Sequence, residues 1–118
     1  MTLLDNLLAT VEGDWQLLEE VMEIYFTDAP NQLRRIDQAI ERNDPLEVRE
    51  AAHSLKGATG AFGKESVVFR LAFNLEQIGK AGNLEHARER FVELCHAIAA
   101  MERTLKEGVE QRRVGENP

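Results

Sequence analysis

Residues 84–105 read LEHARERFVELCHAIAAMERTL, and the spacing of the apolar residues in this stretch decides the fold. They recur at alternating steps of three and four, which keeps them on one side of an α-helix. Such a stripe is stable only when it is buried against a partner, so the pattern predicts a long helix that packs in a bundle. The stripe consists of Leu84, Ala87, Phe91, Leu94, Ile98, Met101 and Leu105.

Helix signals also recur along the rest of the chain. Asp44 followed by Pro45 is typical of a helix start, because a short acceptor caps the free amides and proline suits the first helical position. Pro30 marks a first turn or a kink between two neighbouring helices. No segment shows the strict alternation of a strand. The predicted helices cover residues 3–10, 14–27, 29–43, 45–62, 66–80 and 84–107.

The last four of these helices each carry one apolar stripe, and short loops join them. This pattern predicts an all-α fold, an antiparallel up-down four-helix bundle with the N-terminal helices packed on it. Residues 1–108 then form one domain, and the polar segment 109–118 is expected to be a flexible tail. Besides the stripe above, the stripes are Leu33, Ile36 and Ile40; Val48, Ala52, Leu55, Thr59 and Phe62; and Val68, Leu71, Leu75 and Ile78.

Composition narrows the class of function. The 118 residues carry a net charge of −7 without a basic stripe, which argues against nucleic acid and against an anionic membrane surface as partners. No apolar run is long enough for a membrane span. The N-terminal residues lack the basic segment of a signal peptide and include acidic residues early, so no signal peptide is expected. The single cysteine, Cys95, excludes an internal disulfide and fits a reducing compartment such as the cytoplasm.

One stretch inside the predicted helix 45–62 carries candidate chemistry. Residues 52–63 read AHSLKGATGAFG, in which Gly57 and Gly60 lie inside the predicted helix and each cost it roughly 1 kcal/mol relative to alanine. His53, Lys56, Gly57 and Gly60 follow i, i+3, i+4 and i+7 spacing and share a stripe with Arg49, one turn earlier. That stripe faces away from the apolar side of the same helix.

This arrangement suits phosphoryl transfer to an imidazole. Neutral imidazole, with a reference pKa of about 6.5, is a plentiful nucleophile at neutral pH. Lys56 could meet the negative oxygens of a transferring group, and Gly57 would let another protein approach the helix backbone. The plainer alternative is a solvated surface histidine, but two glycines on its stripe call for a reason of packing or access.

AAHSLKGATGAFG resembles the signature of histidine-containing phosphotransfer domains, roughly His-x-Leu-Lys-Gly followed by small residues and a glycine. The segments FTDAPNQLRRIDQAI, NDPLEVREAAHSLKG and LAFNLEQIGKAGNLEHA also resemble that family in order and spacing, over about residues 3–107. The resemblance implies that His53 accepts a phosphoryl group from one receiver-domain aspartate and passes it to another. It further implies that Lys56 assists electrostatically, that Gly57 admits the partner, and that Arg49 and Gly60 belong to the receiver-facing surface.

The resemblance also implies what the domain lacks. Such domains are carriers without an ATP site, and the receiver, part of a response regulator or a hybrid histidine kinase, supplies Mg²⁺. No phosphate-cradling glycine loop occurs in this chain. His86 and His96 pair with no other ligand at metal spacing, so neither a metal site nor a cofactor of its own is expected. A self-contained core predicts a monomer.

Three alternatives remain open at this point. The chain could be a helical scaffold that binds partners without chemistry. It could be a hydrolase with His53 as general base, although no nucleophile or orienting carboxylate is visible. It could also be the phosphotransfer domain of a histidine kinase, labelled by ATP through a separate catalytic domain. Neither the direction of transfer nor a parent chain follows from the residues.

Overall fold

The computed structural model describes residues 2–116, with side chains described as far as Arg112. This range contains five α-helices and one 3-10 turn and no strand, which confirms the all-helical prediction. None of its helices combines the length and the apolar character that a membrane crossing requires. The elements are α1 (Leu3–Thr10), α2 (Trp15–Glu41), α3 (Pro45–Thr59), the 3-10 turn (Gly60–Phe62), α4 (Val67–Ala81) and α5 (Ala87–Glu116).

α2 is a single helix where the sequence pattern predicted two, at 14–27 and 29–43. Pro30 lies inside it and is exposed, so water can reach the backbone carbonyl that proline leaves without a donor. Ala29 and Ile36, on the two sides of the proline, are both buried. The burial of a continuous face therefore holds the helix together across Pro30.

α3 begins where the sequence predicted and ends earlier. The Asp44 side chain accepts a hydrogen bond from the Glu47 amide at 3.2 Å, and Pro45 is the first helical residue. The α-helix stops at Thr59 rather than at residue 62, and the chain continues as the 3-10 turn. The predicted stripe is confirmed, since all its members are buried: Val48, Ala52, Leu55, Thr59 and Phe62.

The sequence predicted a flexible tail over residues 109–118. This prediction is wrong for residues 109–116, because α5 continues to Glu116. Val109 extends the buried stripe of α5 by one turn beyond Leu105. Arg112 Nη2 lies 2.6 Å from Asp5 Oδ1, and hydrogen bonds from Arg112 and Thr2 lower the pKa of Asp5 to about 2. The predicted boundary at 108 thus falls inside a helix; residues 117 and 118 lie outside the described range.

The longer helices contact one another in a ring. α2 packs on α3 and α5, α3 packs on α4, and α4 packs on α5, while α1 covers the 3-10 turn and part of α5. Between α2 and α3, the hydroxyls of Tyr25 and Thr59 are 2.8 Å apart. Burial raises the pKa of Tyr25 to about 12, so its hydroxyl keeps its proton at neutral pH. Arg88 pairs with Asp37 between α5 and α2.

The α3–α4 contact is unusually close because of one glycine. A Cβ on Gly79 would lie 2.5 Å from the backbone nitrogen of Arg49 and 2.7 Å from the carbonyl oxygen of Pro45. The two backbones therefore meet where Gly79 has no side chain. Because α4 turns its Gly79 side toward α3, its buried face differs from the predicted stripe. Leu71 and Ile78 of that stripe are only partly buried. The buried face is Val68, Ala72, Leu75, Glu76 and Gly79.

Gly79→Ala is expected to destabilise the fold by about 1–3 kcal/mol, because its methyl would push the α3 backbone away. The measurement is urea unfolding followed by circular dichroism. Gly57→Ala is the matched control, since a Cβ at Gly57 meets no atom within 4 Å. Removing that helical glycine should stabilise the protein by up to about 1 kcal/mol. Equal stability of Gly79→Ala and the parent protein would contradict the close contact.

Candidate functional site

His53 stands on the outer face of α3, as the sequence pattern predicted. Ala52 and Leu55, on either side of His53 in the sequence, are buried and belong to the inner face of α3. His53 lies outside that face, and 70% of its side chain is exposed to solvent. A large partner can therefore reach the imidazole without any rearrangement of the core.

The exposed imidazole is held by a buried carboxylate from the neighbouring helix. Nδ1 of His53 hydrogen-bonds to Oε2 of Glu76, whose side chain is only 10% exposed. A carboxylate accepts only, so in the neutral ring this contact places the proton on Nδ1. Nε2 then carries the lone pair. The geometry leaves an imidazole with an oriented, nucleophilic nitrogen.

Lys56 reaches the same carboxylate from one turn further along α3. Its Nζ donates to Oε1 of Glu76 at 2.9 Å, and its ammonium lies 5.3 Å from the ring centroid of Phe73. The Lys56 side chain is 20% exposed. The ammonium of Lys56 faces Glu76, and its positive charge balances the negative charge of the carboxylate that holds His53.

The charge state of Glu76 follows from these contacts. Burial by itself favours the neutral acid, but hydrogen bonds from Lys56 and His53, with the charge of Lys56, outweigh it and lower the pKa of Glu76. Glu76 is therefore ionised at neutral pH. An ionised carboxylate at Nδ1 stabilises a positive imidazole, which is the form of the ring that a phosphoryl transfer creates.

His53 and Glu76 border a depression of about 430 Å³ between α3 and α4. Arg49 and Lys80 are exposed along its edge, and the role of Arg49 in the receiver-facing surface stays a prediction. Three cations face two carboxylates here, although the chain as a whole is acidic. The remaining lining residues are Glu50, Lys56 and Gln77.

The two glycines of the motif lie beside this depression rather than in its lining. Gly57 is in the last turns of α3, and Gly60 follows the helix at the start of the 3-10 turn. A Cβ at either position would meet no other atom within 4 Å. Packing inside this chain therefore does not require these glycines, and the bare surface is available to a partner.

Glu76 is the residue that sequence reasoning missed. It follows Leu75 directly and lies between Ala72 and Gly79 on the small-residue face of α4. A charged residue among small residues at i, i+4 and i+7 was the available signal, because a buried carboxylate needs partners. The predicted stripe included the larger Leu71 and Ile78, which lie on a different face of α4.

Comparison with known proteins relates this chain to a family. The model of the Hpt domain family matches residues 20–107. The chain is also similar in fold to the crystal structure of histidine-containing phosphotransfer protein B (HptB) from Pseudomonas aeruginosa PAO1. The TM-score is 0.81 at 20% sequence identity, and the alignment covers 91% of this chain and 92% of that chain. A comparison with curated protein sequences gives no match.

Glu76→Gln is expected to lower stability by about 1–3 kcal/mol at neutral pH, because Lys56 loses its charged partner. Since folding lowers the pKa of Glu76, its stabilising contribution is present above the unfolded-state value of about 4.3 and disappears as the pH falls through the folded-state value. Urea unfolding between about pH 7 and pH 3 should therefore show the two proteins converging in acid.

Glu20→Gln serves as the control, because Glu20 is exposed on α2 and far from the Glu76 cluster. It should follow the parent protein across the whole pH range. A stability difference between the parent and Glu76→Gln that stays constant down to acid pH would contradict an ionised Glu76.

Proposed function

The chain belongs to the Hpt domain family, and we propose that it serves as a phosphorelay carrier of two-component signalling with His53 as its phosphoacceptor. The observation that supports this role best is the imidazole itself. It is exposed on α3, with 70% of its side chain open to solvent, and a buried, ionised carboxylate holds Nδ1.

The proposed step moves one phosphoryl group between two side chains. Nε2 of His53 attacks the phosphorus of a receiver's aspartyl phosphate, so an N–P bond forms. The P–O bond to the aspartate breaks, and the carboxylate leaves with the electron pair. The ring, now phosphorylated on Nε2 and still protonated on Nδ1, carries a positive charge that Glu76 offsets. Passing the group to a second receiver reverses the same steps.

The cations around the ring support the charge changes of this step. Lys56 offsets the charge of Glu76 before transfer. In that state it assists His53 indirectly, by stabilising the carboxylate that holds the imidazole. Arg49 and Lys80, exposed at the edge of the depression, can face the phosphoryl oxygens. They also suit the acidic pocket in which a receiver carries its own aspartates.

The partner completes the chemistry. Hpt proteins exchange phosphoryl groups with receiver domains, and we propose a receiver of a response regulator or of a hybrid histidine kinase as the partner here. Residues 2–116 contain no group of three His, Cys, Asp or Glu side chains that could hold a metal ion. We propose, as the resemblance to the family implies, that Mg²⁺ comes with the receiver and that the carrier needs neither a cofactor nor an ATP site of its own.

The same proposal covers the arrangement of the helices. Contacts pair Tyr25 with Thr59 and Arg35 with Glu47 between α2 and α3, and His53 with Glu76 between α3 and α4. The first two pairs support an antiparallel arrangement of α2 and α3. Together with the ring of helix contacts, they support an antiparallel four-helix bundle of α2–α5. That the domain acts as a monomer and in the cytoplasm stays a prediction.

His53→Gln is expected to abolish labelling by a receiver that carries phosphate from acetyl phosphate, because glutamine has no nucleophilic nitrogen. The measurement is acid-labile radioactive phosphate on the chain, with circular dichroism to confirm that the helices persist. His96→Gln is the control, since His96 is exposed on α5, and it should label as the parent does. Persistent labelling of His53→Gln would rule out this phosphoacceptor.

Gly57→Glu separates a carrier from a scaffold without chemistry. The new side chain points into open space, so stability should change by less than about 1 kcal/mol. In a carrier, its bulk and charge would obstruct the receiver's acidic pocket and slow transfer by at least about tenfold. Ala99→Glu adds the same charge at an exposed site on α5 and should leave transfer unchanged. Parental transfer rates in Gly57→Glu would favour the scaffold.

A further inference from the structure

A second concave surface lies away from His53, between α2 and α5. It is a groove of about 500 Å³ whose apolar floor is formed by Met22, Phe26 and Val109. The groove and the His53 depression share no residue, and they are built from different helix pairs. In the ring of helix contacts, the α2–α5 pair stands opposite the α3–α4 pair. An occupant of the groove would leave His53 accessible.

The rim of the groove is strongly acidic. Glu23 and Glu110 are exposed on its two sides, and Glu19 and Glu102 also line it. Among the lining residues whose side chains the structure describes, Lys106 is the one cation, and its Nζ lies 3.0 Å from Glu102 Oε2. With this pair counted and Glu19 left out of the count, Glu23 and Glu110 still give the described part of the rim a negative excess.

The shape of the groove fits a short helix. Its α2 wall runs from Glu19 to Thr27, a length of about 12 Å, and its α5 wall runs from Glu102 to Glu110. On both helices the lining residues recur at intervals of three and four, so each wall is one straight stripe. Two parallel stripes with an apolar floor form the kind of groove that accepts the apolar face of an amphipathic helix.

We propose that this groove binds a basic amphipathic helix of a partner protein, with apolar residues on Phe26 and Lys or Arg residues facing the glutamates. Charge complementarity selects this occupant. A second copy of this chain, with its net charge of −7, would bring like charge to an acidic rim. An anionic lipid surface would be repelled in the same way. The proposal does not depend on the chemistry at His53.

The test uses the full chain, labelled with ¹⁵N, and a synthetic peptide of about 15 leucine and lysine residues in amphipathic order. Amide shift changes should concentrate in residues 19–27 and 102–110 and should be absent around His53. The double variant Glu23→Lys/Glu110→Lys should weaken binding by at least about tenfold, and Lys106→Glu should strengthen it several-fold. Both substitutions change exposed side chains, so the fold should persist.

Glu20→Lys/Glu107→Lys is the matched control, because it makes the same change of charge on the same two helices outside the groove. It should alter affinity by less than about threefold. Equal weakening in both double variants would overturn the proposal, since it would show only long-range attraction. So would binding of a leucine–glutamate peptide, shift changes centred on His53, or no binding. Movement of the groove resonances with protein concentration alone, or on adding phosphatidylcholine vesicles, would assign the groove to another occupant.

Discussion

The site depends on one buried carboxylate that two side chains of the neighbouring helix share. Glu76 accepts from His53 with one oxygen and from Lys56 with the other, and these contacts keep it ionised despite its burial. An ionised group with so little exposure is stable only while both partners stay in place. The positions of His53, Lys56 and Glu76 are therefore interdependent.

Gly79 allows this arrangement. Its missing side chain brings the α4 backbone against α3 at Arg49, one turn from both Glu76 and His53. At an ordinary helix separation a glutamate would extend to solvent, and the imidazole would lose its fixed orientation. Two kinds of glycine thus serve the site. Gly79 draws two helices of this chain together, whereas Gly57 leaves bare a surface on which we propose that the partner docks.

The sequence predicted the helices well wherever one apolar stripe controls one helix. The stripe of α3 is buried as predicted, and it correctly directs His53 to solvent. Prediction failed where tertiary packing outweighs a local signal: the buried residues around Pro30 carry α2 through a proline, and Val109 with Arg112 extends α5 into a polar tail. Glu76 was missed for a related reason, because its partners Lys56 and His53 lie 20 and 23 residues away in sequence.

We propose that Glu76 holds the Nδ1 proton of His53 and leaves Nε2 free to take the phosphoryl group. Long-range ¹H–¹⁵N spectra of the imidazole, recorded before and after labelling by a phosphorylated receiver, test it most directly. We expect the unlabelled neutral ring to carry its proton on Nδ1 and the product to have phosphorus bonded to Nε2. A ring protonated on Nε2, or a phosphoryl group on Nδ1, would contradict it.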